Sequence, residues 1–151
     1  MQVKQVMDQK VARIGVSTTF QEAAELLVLT RASDLIVVDA EGAFLGVVSE
    51  GDVLRALIPD YGEVTAAGGS MHDAARMFVD QGRDLATQTI ERLIIRHPIT
   101  VTPDDDLLAV SAIMIDKMIR RLPVVDGRRF VGTIARADVA WAVLSLNTGK
   151  R

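Results

Sequence analysis

The segment Gly46-Val47-Val48-Ser49-Glu50-Gly51-Asp52 holds the residue types that point most directly to chemistry. An apolar run that ends in serine, with aspartate three positions on, predicts a strand turning into a helix with Ser49 at its N-cap. The free backbone N–H groups and the dipole at such a helix start favour an anion, phosphate above all. Asp52, one turn in, is a two-oxygen acceptor able to take a pair of hydroxyls. Gly46 lets a ligand or a neighbouring strand come close. Ser-x-x-Asp is equally an ordinary capping arrangement, so both roles stand open. The segment Gly132-Thr133-Ile134-Ala135-Arg136-Ala137-Asp138 keeps the glycine and the aspartate but puts Ala135 in the place of the serine. As a cap, that hydroxyl is worth about 1 kcal/mol. Arg136 is able to supply a charge-assisted phosphate contact in its stead, and Asp138 reads either as a ligand contact or as a helix-start residue.

Other constellations argue against catalysis. The chain has no cysteine, which excludes disulfides, thiolate nucleophiles and cysteine metal sites. The two histidines, His72 and His97, lack metal-ligand spacing and read as a surface and a loop residue. No Gly-x-Ser-x-Gly elbow or Walker loop is present, and Asp104-Asp105-Asp106 reads as an aspartate-rich helix start. The expectation is a protein that is not an enzyme and holds no metal. The net charge of −3 argues against general nucleic-acid binding, but it conceals an asymmetry. Residues 1–91 carry 7 basic and 14 acidic side chains, a net −7; residues 92–151 carry 10 and 6, a net +4. No apolar run reaches the roughly 18 residues needed to span a bilayer, and the start Met1-Gln2-Val3-Lys4-Gln5 lacks the apolar stretch of a signal peptide. A cytoplasmic protein with no membrane partner is expected.

The elements that must position these residues come twice. Val37-Val38-Asp39 recurs as Val124-Val125-Asp126, and at the same offset Ile14 falls on Val101, Phe20 on Leu107 and Leu35 on Leu122. One residue is lost in the turn between Asp39 and Phe44, after which Phe44 matches Phe130, Gly46 matches Gly132, and Asp52-Val53 matches Asp138-Val139. Each copy reads as a short strand (12–16; 99–102), then a helix with apolar steps of three and four from Phe20 and from Leu107. Thr19 with Glu22 makes a capping-box spacing, and Asp106 stands at the equivalent start. A hairpin follows (35–38 with 44–48; 122–125 with 130–135), then a closing helix (52–58; 138–146). One such unit is too small to bury both faces of its sheet, whereas two stacked by a pseudo-twofold can. Between them, Pro59-Asp60-Tyr61-Gly62 and Gly68-Gly69 predict breaks. Ser70 predicts a capped helix ended by Gly82, and Asp84 a further helix through Leu85, Ile90 and Leu93. Three roles are open to this connector: packing on the core, covering a cleft, or making a dimer contact.

Val101-Thr102-Pro103-Asp104-Asp105, Arg120-Arg121-Leu122-Pro123-Val124-Val125-Asp126 and the run from Gly132 to Asp138 together resemble the cystathionine-β-synthase (CBS) domain. Two in tandem resemble a CBS pair, or Bateman module. The fold class this resemblance implies is α/β (α+β): two pseudo-twofold-related strand-helix-strand-strand-helix units with small sheets. The units are expected at 1–58 and 92–147, with a helical connector over 59–91 and a tail over 148–151.

The resemblance also implies a function: a non-catalytic regulatory module whose two clefts bind an adenosine-containing ligand. AMP, ADP, ATP and S-adenosylmethionine are the candidates, as regulatory ligands and not as obligatory cofactors. The family's Gly-apolar-x-Ser/Thr-x-x-Asp signature is complete only at Gly46–Asp52, which assigns Asp52 to a ribose diol and Ser49 to phosphate. By position in the family, adenine is held by Arg13, Ile14, Leu35 and Ile36 in the first copy, and by Thr100, Val101, Leu122 and Pro123 in the second. Arg120 and Arg121 are assigned to phosphate neutralisation, with an exposed strand start paired to Asp104–Asp106 as the alternative. Asp34 stands at the place of Arg121, and an acid there is unfavourable to phosphate. The second cleft, with Ala135, Arg136 and Asp138, is expected to be weaker, altered in specificity, or empty. The implied partners are a homodimer mate and a downstream protein. The alternative function is a dimerisation or interaction module with vestigial clefts, for which an exposed Trp141 would speak.

Overall fold

A computed structural model describes residues 1–146; the tail at 148–151 and residue 147 of the second unit lie outside these. The first copy builds β1 (Arg13–Ile14), α1 (Phe20–Thr30), β2 (Asp34–Val38), β3 (Phe44–Ser49) and α2 (Glu50–Leu57). The connector contributes α3 (Tyr61–Ala66) and α4 (Met71–Leu85), and the second copy α5 (Leu107–Asp116), β4 (Arg121–Asp126), β5 (Arg129–Ala135) and α6 (Arg136–Ser145). The sheets are small: β1 runs parallel to β2, which pairs antiparallel with β3, while β4 and β5 form an antiparallel pair. The counterpart of β1 in the second copy is a single parallel bridge from Val101 to Val124.

Local chemistry explains the boundaries. Thr19 accepts from the Glu22 N–H at 3.2 Å, and Glu22 accepts in return from the Thr19 N–H at 2.8 Å, closing a capping box at the start of α1. That backbone hydrogen bond, with one from the Thr19 hydroxyl, holds the Glu22 carboxyl below its usual range. Asp106 caps α5 by accepting from Leu108 and Ala109. Both hairpin turns place glycine at positive φ, Gly42 at +83° and Gly127 at +62°. Both hairpins also bulge at the same place, between Val37 and Val38 and between Val124 and Val125. A left-handed residue that is not glycine follows the first helix of each copy, Arg31 at +55° directly after α1 and Met118 at +57° two residues beyond α5.

The two copies exchange their leading segments. Residues 3–8 run into the second copy, where Val3 is fully buried among Leu107, Leu122 and Ile134, and Asp8 exchanges backbone hydrogen bonds with Thr133 at 2.8 and 2.9 Å. Residues 90–95 run into the first copy, where Ile90 is buried among Phe20, Leu35 and Val48, and Ile95 exchanges bonds with Val47 at 2.8 and 3.1 Å. This reciprocal crossing accounts for Gly46 and Gly132. A side chain at Gly46 would collide with the Ile95 carbonyl, and one at Gly132 would stand 2.6 Å from the Asp8 carbonyl. The close approach that Gly46 permits is therefore that of the Ile94–Ile95 backbone segment. A third cluster, Ile36, Val47 and Phe130, sits between the copies, with the Phe44 and Phe130 rings stacked at 6.2 Å.

The connector departs from its predicted elements. Pro59–Gly62 does not simply break the chain: Asp60 accepts from the Glu63 N–H at 3.0 Å and starts α3. Gly82 does not end α4, which continues to Leu85 because that leucine is buried in the first core. The helix expected from Asp84 to Leu93 is absent; after α4 only a 3-10 turn at Glu91–Leu93 forms, since Ile90 is buried in the first core and Ile95 bridges Val47 on β3. Of the three open roles, α4 takes the first: it packs on α2, with Gln81 donating to the Ala56 carbonyl at 2.7 Å.

Candidate functional site

One cleft between the copies gathers residues from both. Its volume is about 570 Å³. The first copy supplies Ser33 and Asp34 at the start of β2, Val47 and Ser49 at the end of β3, and Glu50 and Gly51 from the first turn of α2. The second supplies Met118, Ile119, Arg120 and Arg121 ahead of β4, then Leu122 and Pro123 within it, and Ile95, Pro98 and Ile99 form the remaining wall. An apolar floor of such residues suits a flat heterocycle, and the charged rim suits a phosphate or a similar group.

Ser49 is the N-cap of α2 and accepts from the Asp52 N–H at 3.0 Å, while its hydroxyl donates to the Asp52 carboxylate at 2.9 Å. Asp52 also pairs with Arg55 on the same helix and does not line the cleft. The structure therefore brings Ser49, Arg120, Arg121, Leu122 and Pro123 together, and sets Asp52 one turn behind Ser49. Within the cleft wall Arg121 is half-buried and Arg120 exposed. Burial pushes the Asp34 carboxyl above its usual range; the Arg121 guanidinium opposes that shift, as does the hydrogen bond from Ser33, and Glu50 adds to it.

The other sequence-nominated residues lie elsewhere. Ile14, Leu35 and Val101 are packed in the two cores, and Thr100 is exposed outside the lining. Arg13 lays its guanidinium over the Phe130 ring at 4.9 Å, and with Ile14 lines a separate pocket of about 560 Å³ against α1. Ile36 belongs to the cluster between the copies and is 1% exposed. Arg136 is turned to the end of α5, where it donates to the carbonyls of Met114 at 2.7 Å and Ile119 at 2.8 Å. Asp138 accepts from the Ala135 N–H at 2.8 Å and so serves the start of α6. Among the described residues no group of three or more His, Asp or Glu is placed to hold a metal ion, and no helix is long and apolar enough to cross a membrane.

Sequence reasoning missed several lining residues. Met118 reaches the cleft because its backbone is left-handed, and no glycine or asparagine marks that turn. Ile95, Pro98 and Ile99 line it because the segment leading into the second copy crosses to the first, which nothing local announces. Glu50 was legible as part of the helix start but carried no ligand signal of its own.

Comparison with known proteins agrees with this architecture. The model of the CBS domain family matches residues 3–59 and 90–145. The CBS domain-containing protein YhcV of Bacillus subtilis is 30% identical over 138 residues, covering 91% of this chain and 82% of YhcV. The chain spans between a quarter and a half of the length of the first curated relatives it matches. Among solved structures, CBSX2 of Arabidopsis thaliana in complex with AMP superposes with a TM-score of 0.73 at 23% identity, over 96% of this chain and 97% of that one. The CBS domain pair of MJ0100, in complex with 5-methylthioadenosine and S-adenosyl-L-methionine, gives 0.68 at 21% identity over 97% and 98%.

Proposed function

Because the chain belongs to the CBS domain family and carries two copies of that domain, we propose that it is a non-catalytic regulatory module. It binds an adenosine-containing nucleotide of the AMP, ADP or ATP class, or S-adenosylmethionine, and signals its presence to a partner protein. The observation that carries this reading is the cleft between the copies, where an apolar floor meets Ser49 at a helix start and the Arg120–Arg121 pair. Adenine lies against Leu122, Pro123 and Ile99; phosphate lies between Ser49 and the two arginines. Asp52, one turn behind Ser49 and outside the cleft lining, takes the ribose diol on releasing Arg55 and turning from the Ser49 hydroxyl toward the cleft. The AMP and S-adenosylmethionine complexes of CBSX2 and MJ0100 support the ligand class. Occupancy of one cleft per chain follows from the difference between Ser49 and Ala135. A cytoplasmic homodimer is the proposed setting.

The test is a melting-temperature panel with AMP, ADP, ATP and S-adenosylmethionine, followed by calorimetry. A ligand that binds only the folded chain raises the melting temperature with concentration, by about 2.7 kcal/mol of stability at a hundredfold excess over Kd. We expect such a shift, a stoichiometry near one, and its loss in Asp52→Ala. No shift with any of the four at millimolar concentration removes the reading. Turnover of a nucleotide removes its non-catalytic part.

A second reading, an interaction module with unfilled clefts, has its own support. Trp141 is 76% exposed on α6, and on the same helix Leu144, at 70%, shares an apolar groove with Leu108 of α5, at 79%. A dimer whose stability ignores all four ligands is the outcome that favours it.

A further inference from the structure

We propose that Asp34 limits the negative charge the cleft accepts, so that a nucleoside monophosphate is taken in preference to the triphosphate. This rests on the reading of the cleft as a nucleotide site. Asp34 opens β2 and pairs in register with Ser49, the last residue of β3 and N-cap of α2. Directly opposed residues of an antiparallel pair stand about 4.5–5.5 Å apart at Cα, so Asp34 lies one strand spacing from Ser49, the residue proposed to hold phosphate, and both line the cleft. The cleft's ionic side chains balance: Arg120 and Arg121 face Asp34 and Glu50. The two arginines match a doubly charged monophosphate, and every further phosphate meets the two acids. Asp34 is half-buried and Glu50 exposed, so solvent and salt screen Asp34 less. Burial raises the cost of its ionised form, and the nearby Arg121 guanidinium offsets part of that cost. The scaffold does not require an acid at this position, because the equivalent residue that opens β4 is Arg121 itself. The acid is a property of this site, and selectivity is what it changes.

The experiment measures affinities for adenosine, AMP, ADP and ATP by calorimetry in metal-free buffer, for the full chain and for Asp34→Asn. Glu41→Gln, in the exposed turn between β2 and β3, controls for net charge. The wild type is expected to bind AMP about tenfold or more tightly than ATP. Asp34→Asn narrows that ratio by about tenfold, which corresponds to roughly 1.4 kcal/mol, and leaves adenosine within about twofold. An unchanged ratio in Asp34→Asn, or an equal change in Glu41→Gln, overturns the proposal while the cleft reading stands. Absence of binding by adenosine and by all three nucleotides overturns the cleft reading and this inference with it.

Discussion

The first and second copies place Leu35 and Leu122, Val37 and Val124, and Val48 and Ile134 at matching points of two separate cores. Around those cores the surroundings differ. The first copy has a third strand, and α4 lies along its closing helix; in the second, β1 shrinks to one bridge, and between α5 and α6 an apolar groove of about 550 Å³ stays open, lined by Leu108, Val139, Val143 and Leu144 among others. At the cleft the divergence is chemical: Ser49 against Ala135, Asp34 against Arg121. Scaffold positions are held alike because each must fill the same volume, and volume changes in a packed interior are costly. Rim positions face solvent and the cleft, and substitution there leaves the packed interior intact. The difference teaches where function is to be sought.

Four measurements break or sharpen this comparison. Leu35→Ala and Leu122→Ala remove side chains that are 2% and 1% exposed, and each is expected to cost roughly 2–5 kcal/mol in denaturant unfolding. Equivalence of the cores requires the two losses to agree within about 1 kcal/mol. Next, Gly132→Ala sets a methyl 2.6 Å from the Asp8 carbonyl and is expected to cost about 1–3 kcal/mol. Gly46→Ala should cost more, because Gly46 also holds φ at +154°. A free exchange at either glycine would contradict the reciprocal crossing.

A smaller effect reads the caps against each other. Ser49→Ala should lose about 1 kcal/mol of stability, and Ala135→Ser should gain up to a similar amount, since α6 lacks the hydroxyl that α2 has. If the gain fails to appear, the bond from the Ala135 N–H to Asp138 already does that work. The smallest effect concerns pH. Asp34 has its carboxyl raised by burial, with Arg121 and Ser33 opposing and Glu50 assisting. A raised carboxyl contributes stability below the unfolded value of about 3.8 and loses it as pH rises through the folded value. Asp34→Asn should therefore match or exceed the wild type at pH 7, and forfeit that advantage as pH falls into the carboxylate range. Arg121→Gln should move the melting profile the other way at neutral pH.

Much of this was legible in residues and spacings. The repeat located both hairpins and both cores, because apolar positions at strand and helix periods have few alternative ways to be buried. The Thr19–Glu22 and Ser49–Asp52 spacings named helix starts correctly, since capping is a local hydrogen bond between near neighbours. Local rules failed where long-range packing outbid them. Gly82 reads as a stop, yet α4 runs on to bury Leu85, an anchor worth more than the roughly 1 kcal/mol penalty of a helical glycine. Arg136 reads as a phosphate ligand, yet in this structure its guanidinium serves the carbonyls at the end of α5, which lie 17 and 22 residues upstream.

The amino-acid sequence by itself determined the duplication, the order of elements within each copy, the caps and the polar differences at the rim. Each of these depends on side-chain type and on separations of a few residues, or on similarity between two stretches of one chain. Tertiary structure alone decided that residues 3–8 and 90–95 exchange copies, that Gly46 and Gly132 admit the crossing backbone, and that Asp34 stands beside Ser49 in one cleft with Arg121 across it. Those outcomes depend on which apolar faces bury each other, a choice made by total packing and not by any local pattern.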